Sequence, residues 1–157
     1  MGPLAIAILG ACFAVTLAGI GSSIGIGFAG QASAGVMSED PEKFGRLIIL
    51  VGLPGTQGIY GFVAAFLVLM RLGLIGGGGA TELASAQAWQ IFFTCLPVAF
   101  AGLVSGIHQG KVCAAGVEMT AKQPGDSGKA MVMGIFVELY AVLGFVISFL
   151  LLFSIKL

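Results

Sequence analysis

Charge is what this chain has least of. Only 9% of its 157 residues are Asp, Glu, Lys or Arg, seven basic against seven acidic, for a formal net charge of zero. A neutral chain offers no electrostatic footprint to nucleic acid, and that class of partner is excluded. Histidine occurs once, at position 108. Cysteine occurs three times, at Cys12, Cys95 and Cys113, always inside an apolar run and without CxxC spacing or a cluster with histidine. No zinc site or disulfide framework follows from that pattern, and small buried packing residues are the expectation. Period-two alternation is missing as well, which excludes a transmembrane β-barrel.

What the chain has in excess is apolar length. Hydrophobic residues make up 58% of it, and its mean hydropathy is +1.08. Four stretches, roughly Pro3 to Val36, Phe44 to Leu72, Ala88 to Ala121 and Lys129 to Ile155, each exceed the ~20 residues a helix needs to cross hydrocarbon. The expected fold class is all-α integral membrane with four transmembrane helices. The first run has no positively charged start and continues too far for a cleavable signal, so it is read as a span. Leu9-Gly10-Ala11-Cys12 lacks the basic start of a lipoprotein signal, and Met1-Gly2 lacks the downstream hydroxyl residue of a myristoylation signal.

Shifted by 83 positions, the chain matches itself without a gap: Ala18-Gly19 falls on Ala101-Gly102, Ser22 on Ser105, Gly27 on Gly110, Pro41 on Pro124 and Gly61-Phe62-Val63 on Gly144-Phe145-Val146. Turn signals sit at Ser38 to Lys43 and at Lys122 to Asp126, so each copy is a helical hairpin. The expected organisation is a first hairpin at 1–75, a glycine-rich linker at 76–87 containing the run Gly76 to Gly79, and a second hairpin at 88–157 that carries the acid discussed below. Both copies run in the same direction, a parallel repeat about an axis along the membrane normal. Lys43, Arg46, Lys122 and Lys129 near the turns outnumber Arg71 and Lys156 at the other side, which predicts cytoplasmic turns and external termini.

Small residues recur every four positions in the first helix of each copy, as Gly19, Ser23, Gly27 and as Gly102, Gly106, Gly110, the pattern of closely packed membrane helices. Two such seams suit the inner layer of a closed homo-oligomeric ring, and by themselves they suit a compact monomeric bundle equally well. The string Gly25-Ile26-Gly27-Phe28-Ala29-Gly30 has GxGxxG spacing, but no strand precedes it, so helix packing and not dinucleotide binding accounts for it.

Glu138 lies deep inside an apolar span, where an unpaired charge costs at least ~2.5 kcal/mol, and intramembrane acids generally serve function. Counted from the turn prolines, Glu138 is 14 residues after Pro124, Gln109 is 15 before it, and Thr56 and Gln57 are 15 and 16 after Pro41. At ~1.5 Å per residue these four share one level, so three helices can bring oxygen ligands to one point. Leu53, Thr56, Gln57 and Tyr60 follow i, i+3, i+4, i+7 and line one helix face. Pro54 disturbs the backbone ladder there and makes carbonyl oxygen more available. Tyr60 can donate its hydroxyl to Glu138. In the repeat, Glu138 corresponds to Gly55, Gln109 to Ile26, Thr56 to Leu139 and Gln57 to Tyr140, so one composite site replaces two. A single carboxylate with a hydroxyl, two amides and a carbonyl is a hard-oxygen shell suited to Na⁺; a proton needs fewer ligands, and Ca²⁺ or Mg²⁺ needs more negative charge. His108 points ~100° away from Gln109 around the helix and is read as a packing or hydration residue, while Lys111 and Glu118, nearer the turn, are expected to snorkel or pair.

The strings Pro41-Glu42-Lys43-Phe44-Gly45, Leu53 to Val63, Ser105 to Val112 and Glu138 to Val146 together resemble the proteolipid (K or c) subunits of bacterial V-type Na⁺-transporting ATPases, over essentially the whole chain. The resemblance implies a ring of identical subunits in lipid, turning against a stator membrane subunit while an ATPase head drives a central-stalk subunit. It implies that Glu138 is the ion carrier and that this chain hydrolyses nothing itself. It also implies that Na⁺ is held by Glu138, Thr56, Gln57, Gln109 and the backbone carbonyl of Leu53, with Tyr60 bonding to the acid. The location implied is the plasma membrane. An H⁺-carrying rotor subunit of the same type, or a self-contained channel or transporter, is the competing expectation.

Overall fold

A computed structural model describes residues 1–76 and 81–157; residues 77–80, in the first half of the expected linker 76–87 and including most of its glycine run, lie outside the described residues. Among these the chain is helical: α1 Pro3–Glu39, α2 Phe44–Gly52, α3 Thr56–Arg71, α4 Ser85–Lys122 and α5 Ser127–Ser154. Short 3₁₀ turns cover Pro41–Lys43, Leu53–Gly55 and Pro124–Asp126. Four segments, Pro3–Glu39, Pro41–Arg71, Ser85–Lys122 and Pro124–Ser154, are long and apolar enough to cross a membrane. The first residues of the expected linker's final stretch, Ser85 to Gln87, already form the first turn of α4, because Gln87 folds back and its Oε1 accepts the Ala84 N–H at 2.8 Å.

Proline sets both hairpin turns, since it lacks the N–H that would continue the preceding helix. Asp40 Oδ1 accepts the Glu42 N–H at 3.2 Å, and each turn carries an exposed or half-exposed ion pair three residues apart, Lys43 with Asp40 at 3.2 Å and Lys129 with Asp126 at 2.9 Å. Lys43 Nζ also donates to the Ala121 carbonyl at 3.1 Å, placing a cation on the C-terminal end of α4 and joining the two turns on one side of the protein. At the other side, Arg71 Nη2 donates to the Ile155 carbonyl at 2.6 Å and Gln87 Nε2 to that of Lys156 at 2.8 Å. The two hairpins therefore run parallel.

They meet chiefly through α1 and α4, with α3 flanking α1 and α5 flanking α4. Backbone touches backbone along this inner pair. A Cβ placed on Gly21, Gly25, Gly106 or Gly110 would lie under 3.0 Å from main-chain atoms of the opposing helix. The seam Gly102-Gly106-Gly110 is thus satisfied within the subunit. Its counterpart in α1 differs from expectation: the helix turns Gly21 and Gly25 inward with Ala14 and Ala18, and a Cβ on Gly19 or Gly27 would meet nothing within 4 Å. The reason is that α4 presents a carbonyl ridge, Gly102 O and Gly106 O, that only the Gly21 and Gly25 face can accommodate. Gly110→Leu should overpack this contact by roughly 1–3 kcal/mol or more. Detergent-purified variant protein should lose its folded helical bundle at a lower temperature than the parent, followed by circular dichroism; an unchanged midpoint would contradict the close-packed inner pair.

Two apolar clusters fill the bundle. One, toward the termini, holds Ala7, Ala11, Ala14, Val68, Ile91, Val98 and Leu152. The other, toward the turns, holds Ala29, Leu47, Leu50, Cys113, Val117 and Ala130. Cys95 and Cys113 are buried packers as expected, but Cys12 is exposed on the outer face of α1, because the face one position away, at Ala11, is the one that packs inward. Large apolar side chains such as Ile59, Phe62, Phe136, Tyr140 and Leu143 cover the outside, the surface a lipid-facing or subunit-facing helix presents.

Candidate ion-binding site

The gap between the two clusters is where the polar residues converge. Leu53 packs against the cluster near the turns and Tyr60 against the one near the termini, with the site between them. The second span is interrupted here by the 3₁₀ turn Leu53–Gly55, and Thr56 satisfies the local carbonyl twice, its N–H and its Oγ1 (3.0 Å) both pointing at Leu53 O. That bend brings Gln57 inward, fully buried.

Gln57 Nε2 donates to Gln109 Oε1, also fully buried, on α4. Gln109 Nε2 in turn donates to the Gly134 carbonyl at 3.0 Å and approaches Glu138 Oε2 at 3.4 Å. Tyr60 Oη donates to Glu138 Oε1 at 2.7 Å, and its ring is stacked against Phe145, 5.8 Å between centroids. Side chains from α3, α4 and α5 thus form one connected network around a single carboxylate, at the level that counting from the prolines indicated. Thr56 and Leu53 adjoin Gln57 on the same turn but make no hydrogen bond to Glu138 itself.

Two features set the chemistry. No cation pairs with Glu138: the ion pairs among the described residues are those of the two turns. Moreover Gln57 Oε1, at zero exposure, has no hydrogen-bond donor. A buried acceptor without a partner costs ~1–3 kcal/mol, so Gln57 Oε1 has lone pairs to offer to a donor or a cation. The first copy retains the outline of a second site with the chemistry removed: a Cβ on Gly55, the counterpart of Glu138, would sit 3.3 Å from Ile26, the counterpart of Gln109.

Outside the site, His108 is exposed and does not join the network. Lys111 lies over the Phe28 ring at 5.8 Å, a cation-π contact in place of an ion pair, and Glu118 is exposed. Sequence reasoning did not single out the Gly134 carbonyl, although its position four residues before Glu138 on the same helix face was a usable signal.

Known proteins resemble this chain along nearly its whole length. The chain is 45% identical over 153 residues, 98% of its own length and 94% of the relative's, to the V-type sodium ATPase subunit K of Enterococcus hirae. It is 40% identical over 150 residues, 96% of its length, to the A-type ATP synthase subunit K of Methanocaldococcus jannaschii, of which it spans 63%. The 16 kDa proteolipid of the human V-type proton ATPase is 28% identical over 145 residues, 92% of this chain and 89% of that one. The ATP synthase C-subunit family matches twice, at residues 9–68 and 92–151, two stretches in the same 83-residue register as the internal repeat. This four-helix membrane chain belongs to the ATP synthase C-subunit family.

Proposed function

We propose that the chain is the rotor-ring subunit of a rotary V-type ATPase that carries Na⁺ across the membrane on Glu138, coupled to ATP-driven rotation. The observation that carries this reading is a carboxylate without a paired cation, joined through Gln109 to Gln57, whose buried amide oxygen has no donor. An ion placed there answers both needs at once. The ligands are Glu138, Gln57, Gln109, Thr56 and the Leu53 carbonyl, with Tyr60 holding the acid. The hairpin at 1–75 supplies Leu53, Thr56, Gln57 and Tyr60, and the one at 88–157 supplies Gln109 and Glu138. The sodium named in the Enterococcus relative supports the choice of ion.

Mechanism follows from the cost of charge in hydrocarbon. With Na⁺ bound, Glu138 is neutralised and can face lipid. Emptied, the ionised acid must remain beside water or a cationic group of a stator subunit until it is reloaded. Identical copies close into a ring through faces that a single subunit leaves open, including the small residues Gly19, Ser23 and Gly27. The ring turns with a central stalk and the chain itself catalyses no hydrolysis. The hairpin turns face the cytoplasm and the termini the outside of the plasma membrane, in keeping with the basic residues at the turns.

A hydrophobic carbodiimide tests the ion. It reacts with a protonated carboxyl, and a carboxylate coordinating Na⁺ is protected. At neutral pH, NaCl should slow modification of Glu138, and KCl at equal ionic strength should protect far less, because the larger ion fits a short-stemmed oxygen shell poorly. Lowering the pH should restore labelling as protonation expels the ion. Equal labelling rates with and without Na⁺ across the titration range would replace the sodium reading with a proton-carrying ring.

A further inference from the structure

The ligand-bearing turn is not held by its own helix alone. Ser22, on α1, takes no part in the ion site, yet its Oγ accepts the backbone N–H of Gly58 at 2.7 Å, across 36 residues of sequence. Gly58 immediately follows Thr56 and Gln57. The contact is tight on both sides: Ser22 is 6% exposed, and a Cβ on Gly58 would lie 3.2 Å from Ser22 Oγ and 3.3 Å from its Cβ. One turn further along α1, Gly25 receives Pro54, whose ring would stand 2.8 Å from a Cβ at that position. Thus α1 grips the interruption at two points, by shape at Pro54 and by a directional hydrogen bond at Gly58.

The repeat supplies an internal comparison. Ser105 occupies the position of Ser22 in the second copy and is equally buried, but its Oγ has no partner, and the counterpart of Gly58 there is Ala141, in the uninterrupted helix α5. At this pair of repeat positions, the hydroxyl tie is present where the partner helix is broken and absent where it is continuous.

We infer that Ser22 is a positioning residue for the ion site, fixing through the Gly58 amide the turn that aims the Leu53 carbonyl, Thr56 and Gln57. Tyr60 and Gln109 bond the acid directly, so Ser22 acts on the ion shell and not on the protonation of Glu138. This inference rests on the sodium reading above, and the experiment separates the two.

Purified rings of the parent, Ser22→Ala, Ser22→Thr and Ser33→Ala are labelled at Glu138 by carbodiimide across a NaCl series at fixed pH, and across pH without Na⁺. Ser33 is the control: it lies on the same helix, is 1% exposed, and its hydroxyl has no partner. Ser22→Ala should raise the half-protecting Na⁺ concentration roughly three- to tenfold, the effect of one lost hydrogen bond. Ser22→Thr, which keeps the hydroxyl, should return it close to the parent value, and Ser33→Ala should leave it unchanged. The pH midpoint of labelling without Na⁺ should be the same in all four, a split that a purely structural serine would not produce. Should Ser22→Ala rings fail to assemble, Gly58→Ala decides by the same criterion, since its methyl presses on Ser22 and lengthens the bond. The positioning role is overturned if the parent is protected by Na⁺ and Ser22→Ala or Gly58→Ala is protected equally well, if Ser33→Ala shifts as much as Ser22→Ala, or if the pH midpoint moves with the Na⁺ affinity. A parent that Na⁺ does not protect overturns the sodium reading and this inference together.

Discussion

Glu138→Gln rings, assembled with the rest of the rotary complex in sealed vesicles, should move no measurable ²²Na⁺ on addition of ATP. The substitution keeps the side-chain shape and a hydrogen-bond acceptor for Tyr60, so the ring should still form. What it removes is the only charge in the network. A carboxylate attracts a monovalent cation at 4 Å by about 4 kcal/mol even at an effective dielectric of 20. That is roughly three orders of magnitude in affinity. A site weakened to this degree stays empty at working Na⁺ concentrations. An uncharged residue also has no reason to stop at the stator, so rotation and ion exchange lose their coupling. ATP-dependent Na⁺ uptake by this variant at even a tenth of the parent rate would place the carrier elsewhere.

The second large effect belongs to Gln109. Its amide is the junction of the site: it accepts from Gln57, donates to the Gly134 carbonyl and reaches Glu138. Gln109→Leu fills similar space, strands Gln57 Nε2 without an acceptor beside an already unpartnered Gln57 Oε1, and withdraws one oxygen from the ion. Each stranded buried group costs about 1–3 kcal/mol. Na⁺ affinity, read by carbodiimide protection or by ²²Na⁺ binding to isolated rings, should therefore fall roughly 10- to 100-fold, at about tenfold per 1.4 kcal/mol. Gln57→Leu should weaken Na⁺ binding as well, since it removes the donorless oxygen offered to the ion and leaves Gln109 Oε1 without its donor. Unchanged affinity in Gln109→Leu would dissolve the composite site into a lone acid, which is the arrangement a proton carrier needs.

Both experiments concern residues that were legible in the linear chain, for a reason particular to membranes. Every backbone group in hydrocarbon must be bonded within its own helix, so a long apolar run has one conformation available to it, and depth can be counted in residues from the turn. Lipid also makes polar residues conspicuous: Glu138, Gln109, Thr56 and Gln57 stand out against their neighbours, and the 83-residue repeat shows that the counterparts of all four are nonpolar or aromatic. The hairpins, the level of the site and the helix face of Leu53, Thr56, Gln57 and Tyr60 were accessible on that basis.

Rotation about a helix axis was not accessible. The seam of α1 was read as Gly19, Ser23 and Gly27, but the helix turns Gly21 and Gly25 to its partner. Small residues are so frequent in α1 that several stripes at four-residue spacing coexist, and only the opposing ridge of α4 carbonyls selects among them. Cys12 is exposed for the same reason. Long-range bonds to backbone atoms were invisible too, because they require knowing which main-chain group a bend has set free. The Gly58 amide on Ser22, just past the turn Leu53–Gly55, is of that kind. Sequence alone determined the number of spans, the parallel course of the two hairpins and the depth at which a carboxylate meets amide and hydroxyl side chains, since lipid leaves the backbone no alternative to the helix. Tertiary structure decided which faces touch, which amide oxygen is left without a donor, and which hydroxyl holds the broken turn, since these depend on the rotation and spacing of helices distant in sequence.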